Sequence, residues 1–352
     1  MSGSEQGANV GLDATVLHLA SLQRDSGLVL LANGAGADPW NHVEAAIGFD
    51  VAGRHDLALR AYSWLAVAQR EDGSWSASYD QDGVAAADYV DTNSVGYVAS
   101  GVLAHLLATG NSGACEELFS MVEAALGYVA DHERGTGEVS WSVDGVGDES
   151  PLRLLAGSSS LVSSLRHGAA LADRLSRDGA GWRAASDRIA AEIVAREQAF
   201  ADKSEFAMDW YYPVLAGVIN ADAASQRLRH GEPSFVTPDG VRCRSDRRWI
   251  TSAETAEAAI AYVRAGDSKT ARALFATLSD KRLASGGYLT GVVYPERSEF
   301  PKGESTSYSD AAVLIAADVL AGGVANELFG DAAPSYEVSS PVARSTRKLS
   351  AA

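Results

Sequence analysis

Residues 60–75 read RAYSWLAVAQREDGSW, an amphipathic stretch that runs into a turn and closes on a tryptophan. Apolar residues from Leu57 to Ala68 recur at helical spacing, and the glycine-containing segment from Glu71 to Gly83 breaks the pattern. The same alternation extends in both directions. Helical periodicity returns over Val43 to Val51, Val95 to Leu107, Cys115 to Val129, Leu161 to Leu175, Trp182 to Val194, Trp210 to Ile219, Thr251 to Val263, Thr270 to Leu278 and Ser309 to Leu320. Turn-forming clusters lie between, at Ala32 to Pro39, Gly135 to Gly147, His230 to Gly240 and Lys281 to Gly287. Only Phe235 to Val241 has β-branched alternation, as a small hairpin or an extended loop. Roughly ten to twelve amphipathic helices joined by alternating short and long links predict an all-α fold, one α/α toroid of helical hairpins whose long links gather at one end.

Composition fits that fold: the chain has 352 residues, 46% apolar and 21% charged. Its 29 basic against 46 acidic residues give a net charge of −17, spread along most of the chain, which excludes nucleic acid as a partner. Cys115 and Cys243 stand far apart, so neither a disulfide framework nor a zinc motif is written, and no metal or cofactor is expected. No apolar run approaches the ~20 residues of a membrane span, and residues 1–10 lack a signal-peptide pattern; a cytoplasmic location is the expectation. Residues 1–11 and 332–352 lack periodicity and are expected to be disordered, leaving one domain over 12–331. The oligomeric state is left open.

The opening stretch, with Gln69 and Gly73-Ser74-Trp75, resembles the QW motif of squalene-hopene cyclases and related terpenoid cyclases, whose role is structural. Downstream, Asp88-Tyr89-Val90-Asp91-Thr92-Asn93 resembles those cyclases' Asp-x-Asp-Asp-Thr box, with Val90 where the proton donor belongs. An acidic helix cap is the competing reading of Asp91. The chain from Ala37 to Leu320 also resembles single-domain prenyltransferase-like proteins through Asp38-Pro39-Trp40-Asn41, Met208-Asp209-Trp210-Tyr211-Tyr212-Pro213, Ala253-Glu254-Thr255 and Tyr294-Pro295-Glu296. No Asp, Cys and His set suits the zinc of true protein prenyltransferases.

A second resemblance, to glucoamylase-type six-hairpin glycosidases, follows the same order. Asp38 and Trp40 are similar to an early sugar-binding loop, Trp141-Ser142-Val143-Asp144 followed by Gly157-Ser158-Ser159 to the acid loop, and Pro295-Glu296 before Thr306-Ser307-Tyr308-Ser309 to the base loop. The acid position itself is Ser142 or Val143, with Asp144 displaced. These resemblances imply an enzyme with a small-molecule substrate: an isoprenoid-processing enzyme first, a carbohydrate-active enzyme as the alternative, a non-catalytic binding toroid as the third reading.

Either chemistry needs a carboxyl group to give a proton and an anion to steady positive charge. The candidates are Asp91 and Glu296, with Asp88, Asp144, Asp209 and Glu254 for the second role. Asp38, Trp40, Asn41, Asn93, Trp210, Tyr211 and Tyr212 are the candidate substrate-binding residues, the aromatics suiting a sugar face or a carbocation. Glu254 also stands at capping-box spacing from Thr251, and Pro213 suggests a first helical turn that leaves Asp209 to Tyr212 on a loop. His42 reads as a hydrogen-bonded residue.

Overall fold

In the computed structural model, which describes residues 12–330, amphipathic segments pair into hairpins because each helix buries one stripe against its partner. The helices are α1 (Asp13–Ser21), α2 (Pro39–Val51), α3 (His55–Ala68), the single turn α4 (Thr92–Gly96), α5 (Val98–Thr109), α6 (Ser112–Glu133), α7 (Leu155–Arg174), α8 (Ala180–Arg196), α9 (Ala207–Leu215), α10 (Ala221–Phe235), α11 (Ser252–Arg264), α12 (Ser268–Ala276) and α13 (Ser307–Ala321). Helices α2, α5, α7, α9, α11 and α13 contact one another in that cyclic order and form a closed inner ring. Helices α3, α6, α8, α10 and α12 pack outside it, each against the inner helix before it in sequence. The ring closes through α1, which lies on α13: Thr15 Oγ1 donates to the Gly286 carbonyl at 2.8 Å, and His18 Nδ1 meets Asp310 Oδ2 at 2.6 Å. This is the expected α/α toroid. Residues 1–11 and 331–352 lie outside the described residues, and with them the termini 1–11 and 332–352 for which disorder is expected.

Inner-to-outer links are short, at 52–54, 110–111, 175–179, 216–220 and 265–267, while outer-to-inner links are long. All inner helices therefore begin at the end where the long links collect. Small antiparallel ladders order that mouth: β1 (Val90–Asp91) with β2 (Ser142–Val143), β3 (Val236–Thr237) with β4 (Gly240–Val241), and β5 (Trp249–Thr251) with β6 (Gly291–Val293) and β7 (Ser298–Glu299). The Phe235 to Val241 patch is thus a hairpin, although residues 230–235, expected in a turn, complete α10.

The stretch at 60–75 acts as a staple between neighbouring outer helices. Gln69 Nε2 donates to the carbonyls of Gly73 and Met121, both at 2.9 Å, and the fully buried Trp75 donates its indole N–H to the Leu65 carbonyl. Gly73 is required twice over, since its φ is +88° and a Cβ would come within 2.3 Å of the Ala124 carbonyl oxygen on α6. Replacing Gln69 by Ala leaves the Gly73 and Met121 carbonyls without their donor. The expected cost is about 1–2 kcal/mol, read as a lower thermal midpoint with an unchanged helical spectrum.

Candidate active site at the mouth of the ring

Each inner helix delivers its first turn to the mouth, so residues near the helix starts converge although they are scattered in sequence. Asp38 caps α2, accepting from the Asn41 N–H at 2.9 Å and from Asn41 Nδ2 at 2.5 Å. Burial raises its pKa, and the bonds from Asn41 oppose that. Asp91 caps α4 and accepts from the Asn93 N–H at 2.9 Å and Asn93 Nδ2 at 3.1 Å. Burial lifts its pKa to about 6 against those bonds, and the nearby charge of Asp38 adds to the lift. The cap reading and the site reading of Asp91 therefore coincide in one residue. Asn93 lies against α7 at Gly157, where a Cβ would come within 2.3 Å of its amide carbon. The Gly157-Ser158-Ser159 run is thus a packing surface.

Trp40 stacks on Tyr97 at 4.9 Å between ring centroids and leans on Tyr212 at 5.9 Å. Asp209 lies one helical turn before Tyr212 and is 8% exposed, and burial raises its pKa to about 6. Trp210 belongs elsewhere. It stacks on Phe235 at 5.2 Å and donates to the Arg227 and Leu228 carbonyls, packing outward on α10. The loop expected over Asp209 to Tyr212 is in fact helix, so successive side chains fan out around the axis and cannot all face one pocket. Pro213 is tolerated inside that helix because the carbonyl it cannot serve, that of Asp209, accepts from Arg227 Nη2 at 2.6 Å.

Glu254 is half-buried in the first turn of α11, and its charge helps burial push up the pKa of the Cys243 thiol. The capping box with Thr251 is not formed, since the Thr251 side chain makes no cap bond. Three other carboxylates occupy the rim or the surface. Asp88 is exposed, Asp144 is exposed and accepts from the N–H groups of Val146 and Asp148 in its own turn, and Glu296 is exposed at the turn between β6 and β7.

Beneath the mouth lies a buried network whose two glutamates the sequence reading did not select. Glu44 accepts from the Tyr97 hydroxyl, while Glu257 accepts from Tyr211 and, at 2.5 Å, from Tyr308. Tyr211 thus belongs to the floor rather than to the open mouth. Burial lifts Glu44 to about 7 and Glu257 to about 8. Both glutamates stand six residues after an inner-helix cap, Asp38 and Thr251, in the matching runs Val43-Glu44-Ala45-Ala46 and Ala256-Glu257-Ala258-Ala259. A carboxylate repeated inside an apolar stripe was the available signal.

His42 is buried, accepting from the Val29 N–H at 3.1 Å and donating to the Ala61 carbonyl at 2.9 Å, and desolvation pulls its pKa to about 4. At the opposite end of the ring, Asp50, His55 and His105 bring their donor atoms within 4.8 Å of one another, the spacing of a metal site. Asp50 Oδ1 already accepts from both Nδ1 atoms, at 3.0 and 2.9 Å, and Oδ2 from the Tyr62 hydroxyl, so the cluster is hydrogen-bonded as it stands.

Among the described residues no helix is long and apolar enough to cross a membrane. No family model matches the chain. Among solved structures, a wild-type glycosidase superposes with a TM-score of 0.71 at 15% identity, covering 91% of this chain and 99% of its own. The cellobiose 2-epimerase of Spirochaeta thermophila superposes with a TM-score of 0.67 at 13% identity, covering 90% and 96%. These support the six-hairpin resemblance rather than the cyclase and prenyltransferase one. The QW-type motif behind the terpenoid-cyclase resemblance is a helix-end staple, useful wherever helical hairpins pack in a ring, and carries no chemistry. The curated "MMP endo-(1,4)-3-O-methyl-alpha-D-mannosidase" of Mycolicibacterium hassiacum is 37% identical over 309 residues, 87% of this chain and 85% of that protein, and the chain belongs to the family of that enzyme.

Proposed function

We propose that the protein is an endo-acting glycoside hydrolase for (1,4)-linked 3-O-methyl-α-mannosides, with Asp91 as general acid and Glu254 as the carboxylate that activates water or attacks the sugar. The observation that carries this reading is the placement of the two. Asp91 starts the α4–α5 wall and Glu254 lies on α11, which is opposite α5 in the inner ring, both at the mouth. A sugar lying between them has one carboxyl group on each side of its scissile bond, as glycoside hydrolysis requires.

Asp91 suits the acid role because desolvation and the neighbouring Asp38 both keep a proton on it at mildly acidic pH. Protonating the glycosidic oxygen lets the leaving hydroxyl depart neutral, while Glu254 faces the positive charge developing on the ring. Asp38 and Asn41 offer polar groups to sugar hydroxyls, and Trp40, stacked on Tyr97, offers an apolar platform.

The charge of the mouth separates this reading from isoprenoid chemistry. A diphosphate leaving group calls for cationic partners, and Asp38, Asp91 and Glu254 would repel it.

Incubation with 3-O-methylmannose polysaccharide and with polyprenyl diphosphates, followed by mass spectrometry, tests the reading: shortened oligosaccharides are expected, and turnover of the diphosphates alone would overturn it. The pH profile follows from the acid. Protonated Asp91 is needed, so kcat/KM should fall as pH rises through about 6. Asp38→Asn removes a charge that raises the Asp91 pKa and should move this limb to lower pH.

A further inference from the structure

Two of the exposed large apolar side chains among the described residues are aromatic, Tyr89 at 36% and Phe300 at 57% exposure, and both lie on mouth loops. Each meets a half-buried tryptophan edge to face. Tyr89 lies 5.8 Å from Trp141, and Phe300 lies 5.6 Å from Trp249 at an interplanar angle of 88°.

The Trp249 indole is held in place. The β5–β6–β7 sheet turns one face, Ile250 and Val292, into a small apolar cluster with Leu289 and Tyr294. Trp249, paired with Val293, belongs to the other face. Its Nε1 donates to the Phe300 carbonyl at 2.8 Å. The ring passes over Gly291, where a Cβ would come within 2.2 Å of Nε1. A glycine there lets the indole lie flat across the strand, and two residues further on Thr251 starts α11, which carries Glu254.

The other pair mirrors this on the far rim. Tyr89 stands two residues before Asp91, and the Trp141 carbonyl accepts from the Thr92 N–H at 2.9 Å, which ties Trp141 to the start of α4. Helices α5 and α11 face each other across the ring. With neighbouring axes about 8–10 Å apart, opposite helices of a six-membered ring stand roughly 16–20 Å apart, a span that takes several linked hexoses to cross.

We propose that the Trp249–Phe300 and Tyr89–Trp141 pairs are sugar-stacking platforms on opposite rims, holding a linear neutral polysaccharide across the mouth so that cleavage falls inside the chain. This rests on the hydrolase reading above and extends it from the scissile bond to distant subsites. Flat rings outside an acidic centre suit the apolar faces of pyranose units, and methyl ethers enlarge those faces.

The test measures kcat/KM on long 3-O-methylmannan and on a short oligosaccharide for wild type, Trp249→Ala, Tyr89→Ala and the double variant, with thermal midpoints as a check on folding. The ratio of long-chain to short-chain kcat/KM is expected to fall about five-fold in each single variant and more in the double. An unchanged ratio, or a loss common to both substrates, overturns the platforms while leaving the hydrolase reading intact. If wild type cleaves neither substrate, electrophoresis through a gel containing the polysaccharide decides: retardation of wild type that the variants lose keeps the platforms and drops the hydrolase, and no retardation overturns both.

Discussion

Asp91→Asn and Glu254→Gln are each expected to lower kcat/KM on methylated mannan about 10³-fold while leaving the thermal midpoint within a few degrees of wild type. The size follows from positioned acid–base catalysis, which typically contributes 10²–10⁴-fold. Asp91→Asn retains an oxygen able to accept from the Asn93 N–H, so the helix cap survives while the transferable proton is lost. Glu254→Gln keeps the shape of a side chain whose neighbouring helix cap does not use it. The two carboxyl groups act on one transition state, so the double variant should lose much less than the product of the single losses. Glu296→Gln provides the contrast. That glutamate is exposed at a hairpin turn, and our account expects its removal to change kcat/KM less than two-fold. A large loss there with activity retained in Glu254→Gln would return the second role to the residue that the sequence resemblance pointed to.

The second large effect lies at the other end of the ring and concerns stability alone. Asp50 is 2% exposed and accepts from His55, His105 and the Tyr62 hydroxyl, tying α2 to α3 and α5. Asp50→Ala removes the shared acceptor and strands buried donors, the arrangement that costs most when one partner is deleted. Destabilisation of about 3–5 kcal/mol is expected, measured by denaturant unfolding. Because the cluster lies away from the mouth, folded protein should keep its kcat/KM. A parallel loss of activity per folded molecule would show the two ends to be coupled.

The fold was legible in the sequence because its determinants are local. Helical periodicity, alternating link lengths and the Gln69–Gly73–Trp75 staple each occupy a short span, and together they specify hairpins in a ring. Asp38, Trp40, Asn41 and Glu254 each lie within four residues of an inner-helix start and Asp91 caps α4 just ahead of α5, so the toroid brings these sequence-selected residues to its mouth. Trp210 is not brought there, since four chemically attractive neighbours on one helix point in four directions, and Pro213 disguised that helix as a loop. The mid-helix Pro is explained only by Arg227, fourteen residues further on, whose guanidinium serves the freed Asp209 carbonyl. Glu44 and Glu257 were hidden for a different reason: alone, each reads as a polar residue on a helix, and only the floor of the ring brings their tyrosine partners to them. The isoprenoid reading rested on short signatures around Asp38, Asp209, Glu254 and Glu296 that mark inner-helix starts and mouth loops of a toroid, positions that any chemistry housed in this fold would use, and the comparisons favour the carbohydrate alternative.

A crystal structure of Glu254→Gln with a bound 3-O-methylmannan oligosaccharide decides whether a polysaccharide lies across the mouth with its scissile bond between Asp91 and Glu254. A glycosidic oxygen is expected within hydrogen-bond reach of the Asp91 carboxyl, with the adjoining anomeric carbon turned towards residue 254 and a sugar ring on the Trp249 indole. An oligosaccharide bound elsewhere, or one whose glycosidic bonds all lie beyond the reach of Asp91, would contradict it.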